Sequence, residues 1–353
     1  MVARGIEMST PAATRFSRYQ LTDLSHAILE RAGATGEEAA VVAEAVVDAE
    51  FRGIDSQGLV RLPVYAKAAA AGRTRSNVEM EVLMESASAL RLDAHYGWGY
   101  VMGKRAIDLC TEKARESGAC FAVMLNTSHL GRLGYFVEHA AQQGVIGIAA
   151  AAGAQSFATQ APWGGVSPVF CTNPLAVGVP RRDANPIVYD IATTQIARGA
   201  ILMAQKRNET IPEGWAFDTD GSPTTDPHRA LPPHGTLAPL GGYKGSGLAL
   251  VVEILTSVLG GYPPEESSSF FGTFSIDAFI EYEAFLGGLE TLVEAMRASA
   301  PEGGSREVLL PGERSVRRRE KNDQEGVEIT PALWEEIASV AIELGVTHPL
   351  LAS

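Results

Sequence analysis

Residues 235–261 read GTLAPLGGYKGSG followed by LALVVEILTSVLGG, and this stretch decides which kind of α/β chain this is. Its glycines do not fall in the G-x-G-x-x-G spacing, nor do they sit between a strand and a helix. A Rossmann-type dinucleotide site needs that spacing, because the glycines let the backbone approach a pyrophosphate at a helix N-terminus. The stretch therefore argues against that fold. What it supplies is a strongly apolar helix over 244–261, entered through Tyr243 and Lys244. A cation beside a helix N-terminus works against the helix dipole, which points to an anion held near Lys244.

Working outward, residues 207–242 are rich in Pro, Gly, Asp and Thr and too long for a simple connection, so they read as a functional or docked loop. Apolar periodicity predicts helices over 22–32, 35–52, 60–71, 99–117, from about 134 to 143, 193–206, 277–298 and 331–344. Thr35 and Glu38 form a capping-box pattern. Strands are predicted at 89–93, 119–125, 145–152, 175–179, 186–191 and 270–276. GIDSQGLVR (53–61), PPEESSS (263–269) and PGERSVRRRE (311–320) read as loops, and no internal repeat is visible. The fold class is α/β (mixed α+β), without regular βαβ alternation.

The chain has 353 residues, 46% of them hydrophobic, and a formal charge of -13. It can bury a sizeable core, and its acidity excludes nonspecific nucleic-acid binding, which needs a basic footprint. Cys110, Cys120 and Cys171 have no metal-ligand spacing, and an odd count speaks against a disulfide framework. No metal site is expected. No stretch approaches the ~20 apolar residues of a membrane span, and residues 1–15 read as a polar, flexible tail. A reducing, cytoplasmic setting is the simplest reading.

Several constellations carry chemistry. In Asn126–Gly131 (NTSHLG) a strand runs into a polar turn, with Ser128 as an N-cap and His129 placed to contact a cofactor or move a proton; the same segment also reads as a capping loop with a structural histidine. Residues 161–165 (APWGG) and 171–174 (CTNP) shape a tight backbone loop. Asp190, in DIATT, either orients a histidine or ribose or caps a helix. Arg61 follows Ser56-Gln57-Gly58 and suits a carboxylate clamp or a surface ion pair. Trp98 and Trp163 read as packing residues, and His26, His95, His139 and His348 as structural.

The order of these pieces, GIDSQGLVRLPVY, NTSHLGRLGYF, APWGG, CTNPLAVGVP, DIATT, IPEGWAFDTDGSPTTDP, GGYKGSGLALVVEIL and PGER, resembles the malate/L-lactate dehydrogenase-like family from about residue 20 to 346. Its members include ureidoglycolate and sulfolactate dehydrogenases, diketogulonate reductases and cyclic-imine carboxylate reductases. The resemblance implies a non-Rossmann nicotinamide-binding fold, with a helical domain from both chain ends (16–85 and 300–353) and a cofactor- and substrate-binding domain (86–299). It implies a homodimer taking NAD or NADP and a small carboxylate substrate, with no nucleic-acid or membrane partner. Cofactor contacts would come from His129, Gln155, Pro162, Gly164, Thr172, Asn173, Asp190, Ile191, Ala192, Thr193, Tyr243, Lys244, Gly312, Glu313 and Arg314. Substrate contacts would come from Ser56, Arg61, Tyr65, Arg132 and Thr172, and catalysis from His129, Asp190, Gln57 and Arg61.

The departures from the family pattern carry more information. Gln57 stands where the family has its acid/base histidine. Reducing a ketone by hydride leaves an alkoxide that needs a proton, and glutamine cannot supply one at pH 7. An iminium arrives protonated and leaves as a neutral amine. Arg132 replaces a small residue and offers a further anion contact, Cys171 replaces a glycine, and the segment after Gly261 is shortened. The expectation is an NAD(P)H-dependent reductase of a small 2-oxo acid or cyclic 2-imino acid. Its alternatives are a family member that binds nicotinamide but performs a non-redox or specialised biosynthetic step, or an inactive binding protein.

Overall fold

The computed structural model describes residues 15–261, 266–300 and 307–351. The predicted tail thus lies almost entirely outside the described residues, as does part of the PPEESSS segment. By its internal contacts the chain divides into two units, 1–67 with 317–353, and 68–316. Residues 68–85 and 300–316, grouped by the sequence reading with the terminal helices, belong to the larger unit.

The smaller unit begins with β1 (Arg15–Phe16), α1 (Arg18–Arg31) and α2 (Gly36–Phe51). Both helices open on capping boxes, Ser17 with Gln20 and Thr35 with Glu38, so side chains satisfy their first orphan N–H groups. Leu21, Leu24 and Ile28 of α1 and Val42, Val46 and Ala49 of α2 are buried at helical spacing. Two 3-10 turns, Asp55–Gln57 and Leu59–Arg61, lead into α3 (Leu62–Ala70).

The larger unit opens with β2 (Glu81–Glu85), β3 (Ala89–Asp93), α4 (Gly99–Ser117), β4 (Ala119–Leu125), α5 (Gly134–Gln142), β5 (Val145–Ala152), β6 (Leu175–Val179) and β7 (Ile187–Ile191). After α6 (Arg198–Arg207) come the short strands β8 (Ala216–Asp218), β9 (Pro223–Thr224) and β10 (Gly235–Leu237). Next are α7 (Tyr243–Glu253), β11 (Ser268–Ser275) and α8 (Tyr282–Arg297). The main sheet has the order β2-β3-β4-β11-β5-β6-β7. Its β3–β4 pair is parallel, bridged by α4, and the other pairs are antiparallel.

β11 occupies the centre because SSFFGTFS carries no charge and is buried over its first six residues. Neighbouring side chains of a strand point to opposite faces. Phe270 thus packs with Val123, Leu125, Ala150 and Val252 of α7, while Phe271 meets Phe136 of α5 edge-on at 5.4 Å.

Three expectations fail here. The helix predicted from 193 starts at Arg198, because Thr193 and Thr194 spend their hydroxyls on Gln160 and Ile196 in an extended segment. The 207–242 segment is no bare loop: β10-β8-β9 forms a small sheet, packed with Ile201, Ile211, Leu231 and Leu237 into its own core. The apolar helix at 244–261 leaves α geometry at Ile254–Val258, a π-helical stretch. There the Thr256 hydroxyl donates back to the Val252 carbonyl at 2.7 Å, a competition for the helix ladder that favours such a bulge.

The chain closes with α9 (Glu313–Glu325), β12 (Val327–Glu328) and α10 (Pro331–Glu343). β12 pairs with β1, and Phe16 stacks on Trp334 at 4.8 Å. PGERSVRRRE, read as a loop, supplies the start of α9. This helix has no apolar stripe to reveal it. It is held by Glu313 at its positive end, by Asn322 donating to the Phe51 carbonyl at 2.8 Å, and by Asp323 pairing with Arg18 at 2.7 Å.

Candidate active site

In the larger unit, β4 delivers the NTSHLG turn. Ser128 is not an N-cap: its hydroxyl donates to the Tyr96 carbonyl at 3.0 Å, and α5 starts six residues later at Gly134. His129 is exposed, and its Nδ1 accepts the Gly131 N–H at 3.2 Å. An accepting Nδ1 leaves the proton of the neutral ring on Nε2. Gly131 has φ 69°, and a side chain there would run into the Tyr100 ring, whose hydroxyl takes the Arg132 N–H at 3.0 Å.

Asp190 does not cap the helix that follows it. It lies in β7, and its Oδ2 accepts the N–H of Gly134, the first residue of α5, at 2.7 Å. A carboxylate at this positive helix end is favourably placed. Its surface is open to solvent, yet burial pushes its pKa above the usual carboxylate range, opposed by the Gly134 N–H and the Arg132 charge. A carboxylate that solvent reaches from one side only fits both observations. Arg132 itself is buried and pairs with buried Glu138 at 3.0 Å. Its charge thus serves Glu138 and the Asp190 neighbourhood.

Four further segments converge. Thr193 donates twice to the Thr172 carbonyl, from its N–H at 2.9 Å and from its hydroxyl at 3.0 Å. Its own carbonyl takes the Leu240 N–H at 2.9 Å, and the Ser246 hydroxyl accepts the Trp163 N–H at 2.9 Å. Asn173, fully buried at φ 32°, donates both amide hydrogens, to the Ala249 carbonyl at 3.1 Å and to Glu253 at 2.9 Å. That fixes its amide orientation and leaves Oδ1 buried without a partner, as is Gln160 Nε2. Gly164, at φ 82°, has open space around it. Tyr243 and Lys244 are exposed at the start of α7, and Lys244 makes no ion pair among the described residues.

The remaining sequence candidates are more scattered. Gln155 is exposed in a 3-10 turn, Pro162 is half-buried, and Ile191 and Ala192 are half-buried beside Asp190. Gly312, at φ 87°, leans on Val188 of β7; Glu313 is bound to Arg297 and to the Leu310 N–H, and Arg314 is exposed. Trp98 packs as expected, but Trp163 is 63% exposed, with its ring over Gly242. Gln160, Ser246 and Glu253 were not singled out in the sequence, and Trp163 was read there as a packing residue. The one local signal was the position of Gln160 just before APWGG.

In the smaller unit, Ser56 and Gln57 sit in the first 3-10 turn, with one end of the Gln57 amide, Oε1, buried and unpartnered. Arg61 donates through Nε to the Ser56 carbonyl at 2.7 Å, which leaves its terminal nitrogens available for a two-pronged carboxylate contact. Tyr65 is buried. Glu50, unremarked in the sequence, accepts the Leu59 N–H at 2.9 Å. Burial, countered by that bond and reinforced by Asp55, raises its pKa to about 7.

The model of the malate/L-lactate dehydrogenase family matches residues 16–338. A (2R)-3-sulfolactate dehydrogenase (NADP(+)) of Chromohalobacter salexigens is 36% identical over 332 residues, covering 90% of this chain and 96% of that protein. A Delta(1)-pyrroline-2-carboxylate reductase of Pseudomonas fluorescens is 34% identical, covering 89% and 95%. The solved sulfolactate dehydrogenase of Methanocaldococcus jannaschii superposes with a TM-score of 0.85 at 32% identity, covering 95% and 98%. Fold, site segments and likenesses together define an oxidoreductase of mixed α/β architecture. The chain belongs to the malate/L-lactate dehydrogenase family.

Proposed function

We propose that the chain is an NAD(P)-dependent reductase of a small carboxylate bearing a C=N bond at carbon 2, a cyclic 2-imino acid, with the matching 2-oxo acid as a slower substrate. The observation that carries this reading is Gln57. Its amide can hydrogen-bond a reacting centre but holds no proton to give, and absence of a general acid typically costs about 10²- to 10⁴-fold on a reaction that needs one. An iminium does not need one. Arg61 would clamp the carboxylate through its terminal nitrogens.

The residues present fit a nicotinamide dinucleotide. Buried, unpartnered Asn173 Oδ1 and Gln160 Nε2 suit an amide-bearing ligand. The open backbone at Gly164 and the unpaired Lys244 at a helix N-terminus suit its phosphates. Such a cofactor, when bound, supplies the hydride. Asp190 braces the start of α5 and with it the His129 turn.

A second reading, 2-oxo acid reduction with His129 as proton donor, is favoured by the Nδ1 contact with the Gly131 N–H, which puts the proton of the neutral ring on Nε2. Nicotinamide oxidation with a cyclic 2-imino acid against its open 2-oxo acid decides between them. Preference for the imino acid by at least tenfold is expected, and equal rates favour His129. Consumption of either without change in nicotinamide absorbance favours non-redox chemistry. The assembly proposed is a cytoplasmic homodimer, supported by the exposed apolar run Leu250, Val251, Ile254, Val258 and Leu259; sedimentation velocity reads it.

A further inference from the structure

Glu50 lies in the last turn of α2, against the turn that carries Gln57 and Arg61. Most of that turn is held from within: Gln57 N–H reaches the Ile54 carbonyl at 2.9 Å, Gly58 N–H the Asp55 carbonyl at 3.1 Å, and Arg61 Nε the Ser56 carbonyl at 2.7 Å. The Leu59 N–H instead goes to the Glu50 carboxylate at 2.9 Å. Gly58 passes so close that a Cβ on it would strike this carboxylate and lie 3.1 Å from Glu50 N and Cα. The sequence thus uses glycine at 58 to seat the turn directly on Glu50.

The other side of Glu50 faces a polar cavity of about 290 Å³, ample for the water that lets a buried carboxyl exchange protons. The charged groups around it are Asp55 from the turn, Arg15, Arg318, Lys321, Glu325 and Glu328. Arg15 is matched by Glu325 at 3.6 Å and Glu328 at 3.4 Å, and Lys321 by Glu325 at 3.8 Å. Arg15 and Lys321 are thus already balanced, Arg318 makes no ion pair among the described residues, and Asp55 repels a second negative charge.

We propose that Glu50 is a proton-sensitive tether, a positioning residue that fixes the Gln57–Arg61 turn when ionised and loosens it when protonated. A charged acceptor holds a backbone N–H roughly twice as strongly as a neutral one, so protonation weakens the Leu59 bond without abolishing it. With a pKa of about 7, the change falls around neutral pH. The tether stands on this geometry alone; its consequence for substrate rests on the proposed role of Arg61 and Gln57.

The test is hydrogen exchange on the full chain without ligand between pH 5.5 and 8.5, corrected for intrinsic exchange. Protection of the Leu59 amide against local opening, in which the Leu59 bond breaks while Glu50 stays buried, is expected to rise roughly fivefold through neutrality, read under conditions where global unfolding does not govern its exchange. Glu50→Gln should remove that step, and Asp55→Asn should move it to lower pH. An unchanged step in Glu50→Gln, or no step in the wild type, overturns the tether. In parallel, KM for the carboxylate substrate should fall by a similar factor over the same interval with kcat nearly constant, and should be flat in Glu50→Gln. A step in exchange without one in KM supports the tether and removes the turn from substrate binding.

Discussion

The two groups of site residues are built in opposite ways. In the larger unit, the segments at 160–163, 172–173, 193–194 and 240–246 are laced together largely by backbone groups: Thr193 to Thr172, Leu240 to Thr193, Trp163 to Ser246. In the smaller unit, the turn bearing Gln57 and Arg61 takes its outside support from the side chain of Glu50. A scaffold held by several backbone bonds tolerates loss of any one side chain. A turn held by one ionisable side chain is adjustable, by mutation and by pH. The first arrangement suits an invariant ligand and the second a variable one, which agrees with the proposed division between a fixed cofactor and a substrate held by Arg61 and Gln57.

The comparison can be broken most forcefully at Gly245. A Cβ there would strike the Leu240 backbone and approach the Thr193 carbonyl to 2.6 Å. Because these neighbours are backbone, they cannot swing aside. Gly245→Ala should cost about 3 kcal/mol or more and abolish cofactor binding, read by denaturant unfolding and cofactor fluorescence. Wild-type stability with intact binding would mean that the segments are not locked together.

An intermediate effect is expected at Glu50. Its carboxyl titrates near 7 rather than 4.5, so the folded state binds a proton that the unfolded chain has released. Its contribution to stability is therefore present below pH 4.5 and is lost as pH rises through 7. From pH 5 to 8, Glu50→Gln should gain about 2 kcal/mol on the wild type, the full linkage value being discounted for partial exposure. Parallel stability curves across this range would contradict it. The smallest effect belongs to Thr193→Val, which removes one hydroxyl but leaves the backbone bonds to Thr172 and Leu240. About 1 kcal/mol of stability should be lost, with cofactor affinity changed less than threefold.

Much of the fold was legible because its central elements are bounded by local chemistry. The helix at 99–117 and the strands at 119–125 and 145–152 have the ends that the apolar runs and flanking glycines predict. The Thr35–Glu38 capping box is present as read. What escaped depends on distant partners. β2 is exposed throughout and pairs at the sheet edge. α9 is almost wholly polar and is fixed by Phe51 and Arg18 far away in sequence. The Asp190 partner, Gly134, is 56 residues distant, so spacing pointed to a local cap. Glu50 looked like one more acidic helix residue; only the fold reveals a glycine turn resting on it. Gln57 stood out in the sequence as a departure from the pattern the chain resembles, whereas the unpartnered end of its amide was not visible.

The central claim is that Gln57 removes proton donation and so favours a substrate that arrives protonated. The direct measurement is kcat/KM for a cyclic 2-imino acid and its open 2-oxo acid, in the wild type and in Gln57→His. The account predicts that the histidine raises 2-oxo acid reduction by about 10² or more and leaves imino acid reduction within a few fold. A Gln57→His variant with no gain on the 2-oxo acid, beside a wild type that reduces both substrates equally, would contradict it.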